Sequence, residues 1–155
     1  MDYRPYAPAD FDQLFAIETL CFPPNLRFTR RYLRDLFRRP QTAIWVAEEN
    51  NHLAGFSAAS WAVRKAGITA YVETIEVLPD LRGQGIGSAL LRRVELSAAA
   101  AGVQIIWLHV DARNAGAIRL YEALQYLCDG SREDFYPDGN AALIYRKQLL
   151  TAPLP

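Results

Sequence analysis

Residues 75–88, Ile-Glu-Val-Leu-Pro-Asp-Leu-Arg-Gly-Gln-Gly-Ile-Gly-Ser, decide the fold of this chain. Before them, the run from Thr69 to Leu78 is rich in β-branched and aromatic residues and ends at Pro79. After them, a helical pattern runs from Ser88 until Gly102 stops it. Gly83, Gly85 and Gly87 therefore sit between a strand and a helix. Glycines there let the backbone come close to a ligand, and the first N–H groups of the helix converge on one point. Their dipoles favour an anion, so the segment is a phosphate or pyrophosphate cradle, to which Arg82 adds a formal positive charge. A tight turn alone would not need three alternate glycines. No lysine follows Gly87, which argues against a nucleotide-hydrolysing loop. A dinucleotide fingerprint fits poorly, because Ser88 stands at its third glycine and the acid available, Asp111, comes late.

Working outward, Asp2–Tyr6 alternates as a strand would, and a helical pattern follows from Ala9 through Phe11, Leu14, Phe15, Glu18 and Cys21. The segment Cys21–Phe28 (CFPPNLRF) breaks that helix with two prolines. Thr29 can cap a second helix whose Tyr32, Leu33, Leu36 and Phe37 share a face, with five arginines pointing elsewhere. Two β-rich runs then flank Asn50-Asn51, a hairpin-turn pair. The apolar run Val103–Val110 reads as a strand buried on both faces. Asn114 can cap a last helix, and the chain closes with a strand-loop-strand or hairpin. The order β-α-α-β-β-β-α-β-α-β-β describes an α/β (α+β) domain around one twisted sheet.

With 155 residues, 51% of them hydrophobic, the chain has the size and composition of one globular domain, expected over residues 1–150 with a short tail at 151–155. Seventeen basic residues balance seventeen acidic ones, which removes the charge excess that non-specific nucleic-acid binding needs. The two cysteines, Cys21 and Cys128, make no CxxC pair, so no zinc site or disulfide framework is expected. No signal peptide or membrane span is read, and a cytoplasmic protein is the expectation.

The strand end Ile75–Pro79, the loop Arg82–Gly87, and the block Asn114–Leu124 (NAGAIRLYEAL) together resemble the GNAT superfamily of acyltransferases. The element order matches over nearly the whole chain. The closing FYPDGNAALIYRKQL stretch is similar to that of ribosomal-protein and other protein N-terminal acetyltransferases. The resemblance implies a single GNAT-type domain with a mixed sheet of about six to seven strands and about four helices. It also implies acetyl-CoA as co-substrate, no metal, and direct transfer to a primary amine. A protein or peptide N-terminus is the first expectation for the acceptor, and a small-molecule amine or lysine side chain the next. A non-catalytic acyl-CoA-binding module is the alternative of another class. Neither nucleic acid nor membrane is an expected partner, and the state is monomer or homodimer. The sequence departs from the family pattern at Gln125, usually glycine, at His109, where the ribosomal-protein enzymes carry a glutamate base, and at Asn140-Ala141, usually an acidic pair.

By resemblance, Ile75, Val77, Arg82, Gly83, Gln84, Gly85, Ile86, Gly87, Ser88, Asn114 and Tyr121 bind the acyl donor, with the Val77 N–H facing its carbonyl and Tyr121 acting as general acid. An α-amine (pKa roughly 8) loses its proton more easily than a lysine (roughly 10.4), so the base can be weak. Strict alternation along the strand puts Tyr71, Glu73 and Ile75 on one face and Glu76 on the other. Glu73 is the first candidate base and Glu76 the second, while His109 has a suitable pKa but, alone in an apolar run, reads more readily as a satisfied, half-buried residue. Trp61, Tyr71, Phe135, Tyr136 and the CFPPNLRF loop are candidates for the acceptor pocket, and the arginine-rich helix for a solvated face.

Overall fold

The computed structural model describes residues 1–150; the tail expected at 151–155 lies outside the described residues. The strands are β1 (Asp2–Pro5), β2 (Thr42–Glu49), β3 (His52–Arg64), β4 (Gly67–Val77), β5 (Ile105–Asp111), β6 (Leu127–Arg132) and β7 (Ala142–Gln148). The helices are α1 (Phe11–Cys21), α2 (Arg30–Arg38), α3 (Ile86–Ala100) and α4 (Ala115–Ala123). The strands form one sheet in the order β1-β2-β3-β4-β5-β7-β6, antiparallel throughout except for the parallel β4–β5 pair. This is a mixed α/β domain, as the element pattern predicts.

Local chemistry sets the element ends. Asn50 and Asn51 both adopt positive φ, the twist that a two-residue hairpin turn demands. The Thr29 hydroxyl accepts the Tyr32 N–H at 3.0 Å and caps α2. Asn114 caps α4 in the same way through Ala117 N–H.

Two layers cover the sheet. On one face, Leu14 and Ile17 of α1 and Leu33 and Leu36 of α2 pack on Val46, Phe56 and Ala58. Leu14, Leu33, Leu36 and Phe56 are fully buried, each contributing about 1.5–3 kcal/mol of hydrophobic stabilisation. On the other face, Leu91, Val94 and Ala98 of α3 and Tyr121 of α4 pack on Ala59, Val72, Ile106 and Leu108.

Strand β5 corrects the reading of its apolar run. It alternates: Ile106, Leu108 and Val110 are buried against α3 and α4, whereas Ile105, Trp107, His109 and Asp111 are only half-buried. The first helix layer packs on β2, β3 and β4, so the β5–β7 part of that face stays open. The open half-face is where the site lies.

Candidate functional site

The site grows from a divergence in the sheet. Strand β5 pairs with β4 only from Thr69 to Tyr71, so β4 beyond Tyr71 has no strand beside it on that side among the described residues. At its end, the Leu78 N–H bonds Ala54 O at 2.9 Å, which puts the preceding Val77–Gly55 pair at a non-hydrogen-bonded position. The Val77 N–H therefore points away from β3, into the gap. The Val77 carbonyl is held by Arg82 Nε at 3.0 Å and lies 3.6 Å from Cys21 Sγ.

The glycine loop follows. Gly83 and Gly85 have φ of +79° and +83°, a left-handed conformation that glycine adopts without strain. A Cβ built on either would meet nothing within 4 Å, so the space beside both glycines is open. Gly85 is the N-cap of α3, and the N–H groups of Ile86, Gly87 and Ser88 make up its first turn. Ile86 contributes only backbone, since its side chain is buried with Val77 and Leu90. Gln84 is exposed at the loop tip. Arg82 differs from the sequence expectation: its guanidinium turns back onto the Val77 carbonyl and toward Cys21 Sγ instead of into the cradle. Residues 83–88 present the backbone N–H groups that could hold a pyrophosphate.

Helix α4 approaches from β5. A side chain at Gly87 would lie 3.5 Å from Leu120 and 3.9 Å from Val77, so the start of α3, the end of β4 and α4 meet there. Tyr121 is buried, and burial pushes its hydroxyl well above the ordinary phenol range, with Tyr136 adding to the effect. Asn114 caps α4.

On the open half-face, β4 corrects the predicted alternation. Ala58 pairs with Thr74 and Ala59 with Val72, which leaves Glu73 unpaired as a bulge. One extra residue reverses the faces beyond it. Ile75 packs into the core beneath α3, while Glu76 shares the α1–α2 side with Tyr71 and Glu73. Glu73 accepts Ser60 Oγ at 2.8 Å and Tyr32 OH at 3.0 Å. Glu76 is buried, and desolvation, reinforced by Glu18, raises its carboxyl far above the ordinary carboxylate range.

Tyr71 OH lies 3.0 Å from His109 Nδ1. Burial lowers the His109 pKa and Arg132 lowers it further, so the imidazole is neutral at neutral pH. Burial and the charge of Glu73 raise Tyr71, which stays protonated. Phe135 stacks on His109 at 4.3 Å and Tyr136 stands edge-on to Phe135. Those two are delivered by a folded-back loop in which the Phe135 and Tyr136 N–H groups both bond Asn140 O. The Asn140 side chain in turn donates to Asp111 at 2.9 Å and Asp138 at 3.1 Å. A carboxylate at position 140 could not make those bonds, which accounts for the departure from an acidic pair. Trp61, by contrast, packs against the main core.

Sequence reading missed Tyr32, whose helical spacing marks it as part of an apolar face, and it did not join Tyr71 to His109. The pair is diagonal across the two strands, His109 standing two residues beyond Trp107, the register partner of Tyr71, and the sequence does not show those strands to be adjacent. Among the described residues there is no group of three or more His, Cys, Asp or Glu able to hold a metal, and no helix long and apolar enough to cross a membrane.

The overall fold is shared with known proteins. The family model described as Acetyltransferase (GNAT) family matches residues 11–126, and the chain belongs to that family. It is 35% identical over 89 residues to the [ribosomal protein bS18]-alanine N-acetyltransferase of Escherichia coli, covering 57% of each chain. It is 34% identical over 103 residues to the streptothricin acetyltransferase of Streptomyces lavendulae, covering 66% of this chain and 53% of that one. The chain thus spans about half the length of the curated relatives it matches. In structure it resembles the E. coli ribosomal-protein-S18-alanine N-acetyltransferase, with a TM-score of 0.82 and 26% identity over 98% of this chain and 96% of that one. Arabidopsis thaliana NAA60 in complex with acetyl-CoA has the same fold, with a TM-score of 0.84 at 21% identity over 96% of this chain and 98% of that one.

Proposed function

We propose that this protein transfers an acetyl group from acetyl-CoA to the N-terminal amine of a protein or peptide, directly, in a ternary complex. The observation that carries the reading is the Tyr71–His109 pair on the open half-face, at the point where β4 and β5 part. It lies on the strand that ends at the free Val77 N–H and the glycine cradle. Likeness to the bS18-alanine N-acetyltransferase favours the N-terminal acceptor.

Acetyl-CoA would supply the acyl carbon as a thioester. The N–H groups of residues 83–88 hold the pyrophosphate, and the Val77 N–H donates to the oxyanion that forms as the amine adds. Glu73, fixed as an acceptor by Tyr32 and Ser60, draws in the ammonium form of the substrate. His109 takes one proton from the ammonium and releases it to solvent, and Tyr71 and Phe135 hold its ring in place; the second N–H proton, lost as the tetrahedral adduct collapses, replaces the one that Tyr121 gives to the sulfur. As the C–N bond forms and the C–S bond breaks, Tyr121 gives its proton to the leaving sulfur. Its raised pKa makes that transfer uphill unless it is concerted with C–S cleavage. Glu76 is buried and protonated, so it takes no part as a base.

The test is transfer of isotopically labelled acetyl from acetyl-CoA to a pool of N-terminal peptides, lysine peptides, polyamines and aminoglycosides, read by mass spectrometry. Label on α-amines supports the reading. Label confined to small amines or lysine side chains replaces the acceptor, and bound acetyl-CoA with no label anywhere replaces catalysis with acyl-CoA binding.

A further inference from the structure

We infer that Glu18 and Glu76 form a carboxylic acid–carboxylate clasp sharing one proton, and that this clasp positions the acceptor-side loop 22–29 against the strand end that carries the Val77 N–H. Both residues are almost fully buried, with relative exposures of 0% for Glu18 and 3% for Glu76. Each has one oxygen already satisfied: Glu18 Oε1 accepts the Phe28 N–H at 2.8 Å and Glu76 Oε2 accepts Thr74 Oγ1 at 2.9 Å. The other two oxygens, Glu18 Oε2 and Glu76 Oε1, are buried without any other partner, and the two carboxyl groups are within hydrogen-bonding reach of each other. Two carboxylates cannot stay there together away from water. One proton between them removes the repulsion and satisfies both orphaned oxygens with a single bond.

The surroundings leave the proton as the only ready neutraliser. From α1 the pair is faced by the Cys21 thiol, from β4 by the Thr74 hydroxyl, and from the turn beyond β4 by Arg82, whose donors are directed to Val77 O and Cys21 Sγ. Phe56, which pairs with Glu76 across β3, is apolar. The clasp spans what the site needs aligned. At one end Glu18 holds the backbone of Phe28, which stacks on Tyr32 at 4.9 Å, and Tyr32 holds Glu73. At the other end Glu76 immediately precedes Val77. Glu18 and Glu76 are thus positioning residues, and their role in transfer rests on the function proposed above.

Four variants test it: E76A, E18A, E76Q and E18Q. Each glutamine is near-isosteric and can donate one N–H to the remaining carboxylate, so it replaces the shared proton with a bond that does not titrate. The alanine variants should raise the acceptor KM at least tenfold, with acetyl-CoA affinity within twofold of wild type. The glutamine variants should restore the acceptor KM. Wild-type kcat/KM should decline at the alkaline end of its profile, and E76Q should lack that decline. Thermal melting gives a readout that needs no substrate: between pH 5 and 9 the wild type should lose melting temperature relative to E76Q, because its native state alone retains the proton. An unchanged acceptor KM in a folded alanine variant, or an E76Q melting profile parallel to wild type, overturns the clasp. If no acceptor is ever acetylated while the melting difference appears, the clasp stands and the acetyltransferase reading falls.

Discussion

The proposed donor side and the proposed acceptor side of the cleft are built in opposite ways. The cradle is one continuous segment, residues 83–88, whose ligand groups are backbone N–H groups fixed by two left-handed glycines and a helix start. The acceptor side draws Tyr32 from α2, Ser60 from β3, Tyr71 and Glu73 from β4, His109 from β5 and Phe135 from the β6–β7 loop. A site made of backbone depends on conformation and tolerates many side chains; one assembled from five elements depends on each side chain and on the register of every strand. The first is suited to an invariant donor, and the second can be retuned for a new acceptor without disturbing the first.

Five substitutions and one control would break or sharpen that contrast. The largest effect belongs to Gly85→Glu, which puts a carboxylate in the open mouth of the cradle and should weaken acetyl-CoA binding by about 100-fold or more. Gly85→Ala is its control: left-handed strain of about 1–2 kcal/mol, and far less loss of affinity, measured by calorimetry beside thermal melts. Equal losses in the two variants would mean that backbone strain, and not charge, governs the donor side.

Next, Tyr121→Phe should lower kcat by about 100-fold with little change in the donor KM, as expected when a general acid is removed from a packed position. A kcat within a factor of two of wild type would make the residue packing alone.

His109→Gln should cost about tenfold at neutral pH and progressively less as pH rises, since an α-amine of pKa near 8 deprotonates unaided above that value. Because burial lowers the His109 pKa, its neutral form persists below pH 6.5, and the acid limb of wild-type kcat/KM should lie beneath that value. Glu73→Gln should act differently, raising the acceptor KM and leaving the shape of the pH profile intact. Exchange of those two phenotypes would make Glu73 the base.

The smallest effect lies outside the cleft, where α4 ends. Gln125 has φ +71°, the Gln125 N–H bonds Glu122 O, and the Tyr126 N–H bonds Tyr121 O, so the helix closes with the motif usual for glycine but with a strained side chain. Gln125→Gly should stabilise the protein by about 0.5–1 kcal/mol in denaturant titrations, without changing kcat.

Much of this molecule was legible because its signals are local. The Asn50-Asn51 turn, the Thr29 and Asn114 caps, the helix stop at Gly102 and the glycine cradle each follow from the conformational needs of a few adjacent residues, and together they specify the element order. Two readings failed for one reason: they assumed a regular strand in a uniformly covered sheet. The bulge at Glu73 moved Ile75 and Glu76 to opposite faces from those expected, and the open half-face beside β5 exposed Trp107 and His109. Neither leaves a mark in composition or period, since each depends on which strand lies alongside and which helix lies above.

The chain by itself determined its class, its element order and the anion-binding backbone, because bond geometry and helix dipoles act over a few residues. Only the tertiary structure decided that Tyr71 meets His109, that Tyr32 and Ser60 hold Glu73, that Arg82 serves the Val77 carbonyl and that Glu18 lies against Glu76. Apart from Arg82 and Val77, which are 5 residues apart, those pairs lie 13 to 58 residues apart in sequence, with Tyr32 and Glu73 separated by 41. Sheet register and helix packing bring them together, and the chemistry of each carboxyl, imidazole and phenol is set by neighbours that sequence distance does not reveal.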